Sequence, residues 1–184
     1  MNKDKALDLL HEEIKNQNLR KHCYAVAAVM KSLASRFDED ENLWEISGLV
    51  HDIDYEKYPE KHPLEGIKIL EEENYPKEII EATASHAWGY REGLPEPKNK
   101  MEWSLYSCDE LTGLIVAVTL VRPERKISLV TVENILGKWN SKSFAAGVNR
   151  KQIENCDDKL GIPLNLFIKI ALTSMQEIHD DLGL

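Results

Sequence analysis

The 184-residue sequence predicts an all-α fold, and three observations support this prediction. Apolar residues recur every three or four positions along most of the chain, which is the period of a helix. No pair of alternating segments joined by a hairpin turn occurs. Hydrophobic residues make up 42% of the chain, enough for a packed core. No repeat, low-complexity segment or Pro-, Gly- or Ser-rich linker divides the sequence. We therefore expect one domain over residues 1–184 with about seven to nine helices.

Helices are expected in the first half of the chain wherever an apolar stripe follows a capping residue or a proline. An acidic turn, residues 38–40, leads into the third helix. Pro63 and Pro76 suit the first turns of the fourth and fifth helices, where the missing N–H of proline does no harm. The first three helices are expected at residues 3–15, 19–36 and 41–51.

The second half begins with a Gly- and Pro-containing loop over residues 89–100, followed by a helix over residues 102–121. The β-branched residues within 115–118 leave a buried strand open as an alternative for part of this helix. Two further helices are expected, over residues 129–138 and 163–182, and the last has a continuous apolar stripe.

Charge and cysteine content restrict the partners and the compartment. The net charge of −9 argues against a nucleic-acid polymer bound by bulk electrostatics, but a small anionic substrate stays possible. The longest apolar stretch is residues 114–121, whereas a membrane span needs roughly 20 residues. Three cysteines form no CxxC pair, and the N-terminus does not resemble a signal peptide. We expect a cytoplasmic protein without membrane contact, and the oligomeric state stays open.

Histidines and aspartates occur at positions that predict a metal site. His51 and Asp52 are adjacent at the end of the third predicted helix, while His22 and Asp109 lie on the apolar stripes of two other helices. A buried carboxylate is costly unless it is paired or bound to a cation. Convergence of these four groups on one cation would remove that cost for all of them.

The ordered set His22, His51-Asp52, Asp109 resembles the HD superfamily of metal-dependent phosphohydrolases, and the HDIG-type members in particular. The segments GLVHDIDYEKYPEKHPLEGIKIL, ATASHAWGYREG and SCDELTGLIVAVTLVRPERK carry this resemblance. It extends over residues 18–126 and leaves residues 127–184 as a C-terminal helical extension. Residue 54 is Asp where many relatives have Gly, and residue 55 is Tyr where some have Lys. A GYP triplet is absent, which disfavours the branch that cleaves cyclic dinucleotides.

The resemblance implies an all-α domain built around divalent metal, with two ions expected. Fe, Mn, Co, Ni, Mg and Zn are not distinguished by such ligands. Asp52 would bridge the ions and act in catalysis, and Lys57 is a candidate for a catalytic lysine. Alternatively, His62 and His86 would line the cleft as a general acid or a substrate contact around a single ion. The expected metal ligands are His22, His51, Asp52, His62, His86 and Asp109.

The expected activity is hydrolysis of a phosphate mono- or diester, most naturally of a nucleotide, by metal-activated water. Hydrolysis of a dinucleoside polyphosphate or of a cyclic nucleotide is a competing hypothesis within the same class of enzyme. A non-catalytic metal- or nucleotide-binding sensor and a di-iron oxygenase of similar fold are two competing hypotheses, whereas the HExxH helix of a metalloprotease is missing. Cations and a hydroxyl in the second half of the chain are candidates for binding substrate phosphate: Arg122, Lys142, Ser143 and Arg150.

Overall fold

The protein is all-α, as the sequence predicts. A computed structural model describes residues 2–141 and 143–184. Over these residues the only β-type pairing is an isolated bridge between Trp88 and Arg91. A 3₁₀ turn covers Ile127–Leu129. The ten helices of the described residues are α1 (Lys3–Glu13), α2 (Gln17–Phe37), α3 (Glu41–Val50), α4 (Leu64–Glu72), α5 (Lys77–His86), α6 (Lys100–Leu120), α7 (Val132–Trp139), α8 (Arg150–Leu160), α9 (Leu164–Glu177) and α10 (His179–Leu182).

Polar side chains begin most of these helices, as helix-capping chemistry requires. The Asn16 side chain accepts hydrogen bonds from the first backbone N–H groups of α2, and Asp40 does the same for α3. Asn99 begins α6 in this way. Pro63 and Pro76 each immediately precede a helix, so the proline signals lie within one residue of the observed starts.

The long helices α2 and α6 form the centre of the fold. Helix α2 packs against α3, α6 and α9, and α6 also packs against α5 and α8. Gly48 permits a close crossing of α2 and α3, because a Cβ atom there would lie 2.5 Å from Ala27 Cα. This crossing brings the end of α3 next to the part of α2 that carries His22. The fold thereby places His51 and Asp52 beside His22.

Residues 115–118 lie within α6, which confirms the predicted helix over the alternative of a strand. Two elements differ from the sequence prediction. The predicted last helix is interrupted at Ile178, which separates α9 from α10. Helix α8 was not predicted, because its segment RKQIENCDDKL is mostly polar and buries a glutamine among its few apolar residues. These two additions bring the helices of the described residues to ten, above the expected seven to nine. No helix in the described ranges is long and apolar enough to cross a bilayer.

Candidate metal centre

The six predicted ligands converge on one side of the bundle although they come from five separate segments. His22 lies on α2, His86 is the last residue of α5, and Asp109 lies on α6. The other three ligands follow α3 or precede α4. Five of the six line a cleft of about 500 Å³. His51 is fully buried behind them.

The carboxylate of Asp52 is the centre of this arrangement. Its side chain is only 14% exposed and lies close to the Nε2 atoms of all four histidines. The Oδ2–Nε2 distance is 3.7 Å for His22, and the Oδ1–Nε2 distances are 3.6 Å for His51, 3.4 Å for His62 and 3.4 Å for His86. One carboxylate therefore faces imidazoles on both of its oxygens.

The potential ligand atoms form two clusters that share Asp52. In the first cluster, His22, His51 and Asp52 have ligand atoms within 4.8 Å of one another. In the second cluster, the same holds for Asp52, His62 and His86. Asp109 belongs beside the first cluster, because its Oδ1 atom lies 2.9 Å from His22 Nε2 and 3.7 Å from His51 Nε2. Each cluster could hold one metal ion.

The ring orientation of each histidine is fixed by an acceptor on its other nitrogen. Nδ1 of His51 lies 2.8 Å from the Gly48 carbonyl, and Nδ1 of His86 lies 2.5 Å from the Thr83 carbonyl. Nδ1 of His62 lies 2.7 Å from a carboxylate oxygen of Asp54. An Nδ1–H donor at each ring leaves Nε2 directed into the centre. Metal-binding histidines use this arrangement, with the second ring nitrogen held by a carbonyl or carboxylate.

The imidazoles of the centre lower the pKa values of its two aspartates. Burial opposes ionisation of Asp52, but the imidazoles of His51, His86 and His62 outweigh it and hold the pKa of this carboxyl below its usual range. Burial likewise opposes ionisation of Asp109, but the close imidazole of His22 and the neighbouring imidazole of His51 hold the pKa of this carboxyl well below its usual range. Both aspartates are therefore carboxylates at neutral pH.

His51 shows why these residues fit a bound cation. Burial alone would lower the pKa of His51, yet the carboxylates of Asp52 and Asp109 raise it to about 9. Its Nε2 atom is buried and, within the described chain, has no hydrogen-bond partner. An unsatisfied buried polar atom is unfavourable. A metal ion beside Nε2 would satisfy this atom and take the place of its proton.

The second cluster fits an ion in its spacing as well. The Nε2 atoms of His62 and His86 are 3.1 Å apart. Each ring has its Nδ1 atom against another acceptor, so that both Nε2 atoms face each other in the centre. Two imidazole nitrogens bound at about 2.0–2.1 Å and at right angles on one ion are separated by about 3 Å. The observed spacing would allow both nitrogens to bind one metal ion.

Several residues predicted to act on substrate lie away from the cleft. The Lys57 ammonium lies 2.6 Å from a carboxylate oxygen of Glu13 on the exposed surface. The Arg122 guanidinium donates to the side chain of Asn134 at 3.0 Å. Ser143 is exposed and does not line the cleft, and Lys142 lies outside the described residues.

Arg150 contributes to the cleft indirectly. Its guanidinium donates hydrogen bonds to four backbone carbonyls of the preceding loop, the closest being that of Phe144 at 2.7 Å. The end of this loop, residues 147–149, forms one wall of the cleft. Arg150 is therefore placed to hold the shape of that wall, because both of its terminal NH₂ groups donate to the loop.

The cleft also contains residues that the sequence did not single out. Tyr55, Trp88, Tyr90 and Tyr106 give it aromatic walls, and Glu110 adds a third carboxylate beside Asp109. Burial and the neighbouring Asp109 raise the pKa of Glu110. Trp88, Tyr90 and Glu110 lie close to predicted ligands in the sequence, and Tyr55 was noted only as a departure from the family pattern.

A comparison with protein families identifies the domain. The model of the HD domain matches residues 19–114, just over half of the chain, and this range contains all six converging residues. The chain belongs to the HD domain family. It is also 33% identical over 101 residues to ribonuclease Y of Acholeplasma laidlawii (strain PG-8A). That match covers 53% of this chain and 18% of ribonuclease Y, so the chain corresponds to about a fifth of its relative's length.

Proposed function

We propose that this HD domain protein is a phosphohydrolase that uses two divalent metal ions to hydrolyse a phosphate mono- or diester. The observation that carries the proposal is the pair of histidine clusters sharing Asp52. One ion would be bound by His22, His51 and Asp109. The other ion would be bound by His62 and His86, and Asp52 would bind both ions. When bound, such ions lower the pKa of water and neutralise charge on phosphoryl oxygens.

The charges of the cleft support an anionic substrate only when the metal is present. Two carboxylates, Asp52 and Asp109, would face two divalent ions, which leaves a net positive charge at the centre. Among the described residues that line the cleft, none is Lys or Arg, and Glu110 adds negative charge. The attraction for phosphate would therefore come from the ions, and the cleft would hold a phosphoryl group next to Asp52.

The aromatic walls support a nucleotide as the substrate. Tyr55 and Tyr90 are 38% and 71% exposed at the cleft, and the Trp88 ring packs against the buried Tyr106 ring at 5.7 Å between ring centres. All nucleotide bases can stack on such side chains, because every base has a π-face. The cleft volume of about 500 Å³ lies within the range typical of small-molecule sites. A base on the aromatic residues would leave the phosphate free to approach the centre.

A screen of phosphoesters tests the proposal. The chelated protein would be assayed for phosphate or nucleoside monophosphate release with Mn, Fe, Co, Ni, Mg and Zn added separately. We expect hydrolysis only with metal, and nucleotides favoured over phosphorylated sugars that lack a base. Hydrolysis that survives exhaustive chelation would contradict the metal mechanism. Oxygen consumption under reducing conditions without phosphoester hydrolysis would favour an oxygenase.

The contribution of the aromatic residues can be measured separately. The Tyr55→Ala/Tyr90→Ala double variant should lose the preference for base-containing substrates while it retains hydrolysis of a base-free phosphoester. Tyr58→Ala is a matched control, because Tyr58 is 41% exposed but lies outside the cleft lining. An unchanged preference in the double variant would exclude base stacking at these side chains.

A further inference from the structure

Asp54 is buried next to the second cluster without being one of its potential ligands. Its side chain is fully buried, and both of its carboxylate oxygens are occupied. Oδ1 lies 2.7 Å from His62 Nδ1, and Oδ2 accepts a hydrogen bond of 2.8 Å from the backbone N–H of Gly66. The side chain thus joins the turn after α3 to His62 and to the first turn of α4. The sequence already distinguishes this position, since many HD relatives have glycine there.

Gly66 is part of the same arrangement. A Cβ atom at position 66 would lie 3.0 Å from Oδ1 of Asp54 and 3.1 Å from its Cγ. Such contacts are tighter than van der Waals packing, so even a methyl group would displace the carboxylate. Glycine at this position lets the backbone approach Asp54 closely enough to donate its hydrogen bond.

The arrangement serves only one of the two clusters. His51 and His86 have their Nδ1 atoms against backbone carbonyls, and Nδ1 of His22 lies 3.3 Å from the Thr112 hydroxyl. Of the four histidines, His62 has a carboxylate in this position. A carboxylate behind a metal-binding imidazole fixes its ring and makes Nε2 a stronger ligand.

We propose that Asp54 is a positioning residue that holds His62 for the second metal ion, with Gly66 holding Asp54 in turn. The assignment rests on the proposed metal centre but is independent of the reaction catalysed there. It predicts that the two ions respond differently to loss of the Asp54 carboxylate. The ion at His62 and His86 would bind more weakly, whereas the affinity for the ion at His22 and His51 would not change.

Asp54→Asn is the direct test, because it conserves shape while removing the charge. An asparagine also has only one acceptor oxygen. If that oxygen faces His62, the amide NH₂ group faces the Gly66 N–H, so that two donors oppose each other. In the opposite orientation, the NH₂ group faces the Nδ1–H of His62, and two donors again oppose each other. We would titrate Mn²⁺ into the chelated full chain and follow binding by calorimetry and by electron paramagnetic resonance, which distinguishes coupled from single Mn²⁺ ions. Thermal unfolding of the metal-free protein would verify folding.

The expected result is two bound ions in the parent and a second ion bound about 10–100-fold more weakly in Asp54→Asn, with the first ion bound as in the parent. The signal of coupled Mn²⁺ should give way to that of a single ion. Gly66→Ala should produce the same selective loss from the other side of the carboxylate. Gly137→Ala is the control, because a Cβ atom there meets nothing within 4 Å.

Three results would overturn the assignment: equal weakening of both ions, unchanged binding of both ions, or fewer than two ions in the parent. Equal weakening would indicate a merely structural role for Asp54. The metal titration decides the assignment whether or not hydrolysis is found. A parent that binds two ions but hydrolyses no phosphoester would instead contradict the proposed function.

Discussion

Replacing Asp52 by asparagine should weaken both metal ions at once, because its carboxylate is the group that the two clusters share. Its oxygens lie 3.4–3.7 Å from four imidazole nitrogens. Loss of a residue behind a ligand weakens metal binding about 10–100-fold, so loss of a shared ligand should cost at least about 100-fold for each ion. That factor corresponds to about 2.7 kcal/mol per ion.

The same change can be read as a difference in thermal stability. At a free ion concentration of about 100 times the parental Kd, each ion stabilises the folded parent by about 2.7 kcal/mol. A 100-fold weaker site at that concentration provides only about 0.4 kcal/mol. For a chain of this size, 1 kcal/mol shifts Tm by about 2–4 °C. The metal-induced rise in Tm should therefore be smaller by on the order of 10 °C in Asp52→Asn.

Differential scanning calorimetry with and without Mn²⁺ would measure this effect. The phosphoester assay would use unheated portions of the same samples. Asp8→Asn is a suitable control, because Asp8 is exposed on α1 and far from the centre in sequence. We expect the control to behave as the parent does. An Asp52→Asn protein with the parental metal-induced shift and the parental rate would refute the shared-ligand arrangement.

Three further predictions concern packing, pH and Lys57. Gly48→Ala should lower the free energy of unfolding on the order of 3 kcal/mol, because its Cβ would meet the Ala27 backbone; Gly137→Ala should be neutral or stabilising by up to about 1 kcal/mol in the same urea titration. Equal stability of both variants would contradict the close crossing. Metal affinity should rise by about tenfold per pH unit up to about pH 9, because the ion displaces the proton of His51. The neighbouring carboxylates raise the pKa of His51 to about 9. Calorimetry that detects no proton release on metal binding would contradict this prediction. Lys57→Ala should retain hydrolysis within about twofold, because its ammonium binds Glu13 outside the cleft; a large loss of kcat would give that lysine a catalytic role.

The sequence was sufficient to predict the all-α class and to select the residues that meet at the centre. Helical periodicity identified α2 and α6, and the order of His22, His51-Asp52 and Asp109 is characteristic of the family. The convergence itself depends on the crossing of α2 and α3 at Gly48, which no periodicity reveals. That the converging histidines and aspartates bind metal stays a prediction, which the metal titrations will test.

The walls of the cleft were harder to predict, because they depend on side-chain direction and loop shape. Lys57 is near His51-Asp52 in sequence, but the turn directs its side chain toward Glu13. Arg150 looked like a phosphate ligand, yet the preceding loop folds so that carbonyl oxygens surround its guanidinium. Helix α8 escaped prediction because its segment is mostly polar and one of its few buried residues is Gln152, whose amide donates to the Tyr106 carbonyl at 2.8 Å.

The central claim is that two ions, held on either side of Asp52, are needed for phosphoester hydrolysis. The most direct measurement titrates Mn²⁺ into the chelated protein and determines bound metal and hydrolysis rate in the same samples. We predict two equivalents at saturation and a rate that rises with the second ion, because the two clusters share one carboxylate. Saturation at one equivalent, or full activity before the second ion binds, would contradict the two-metal account.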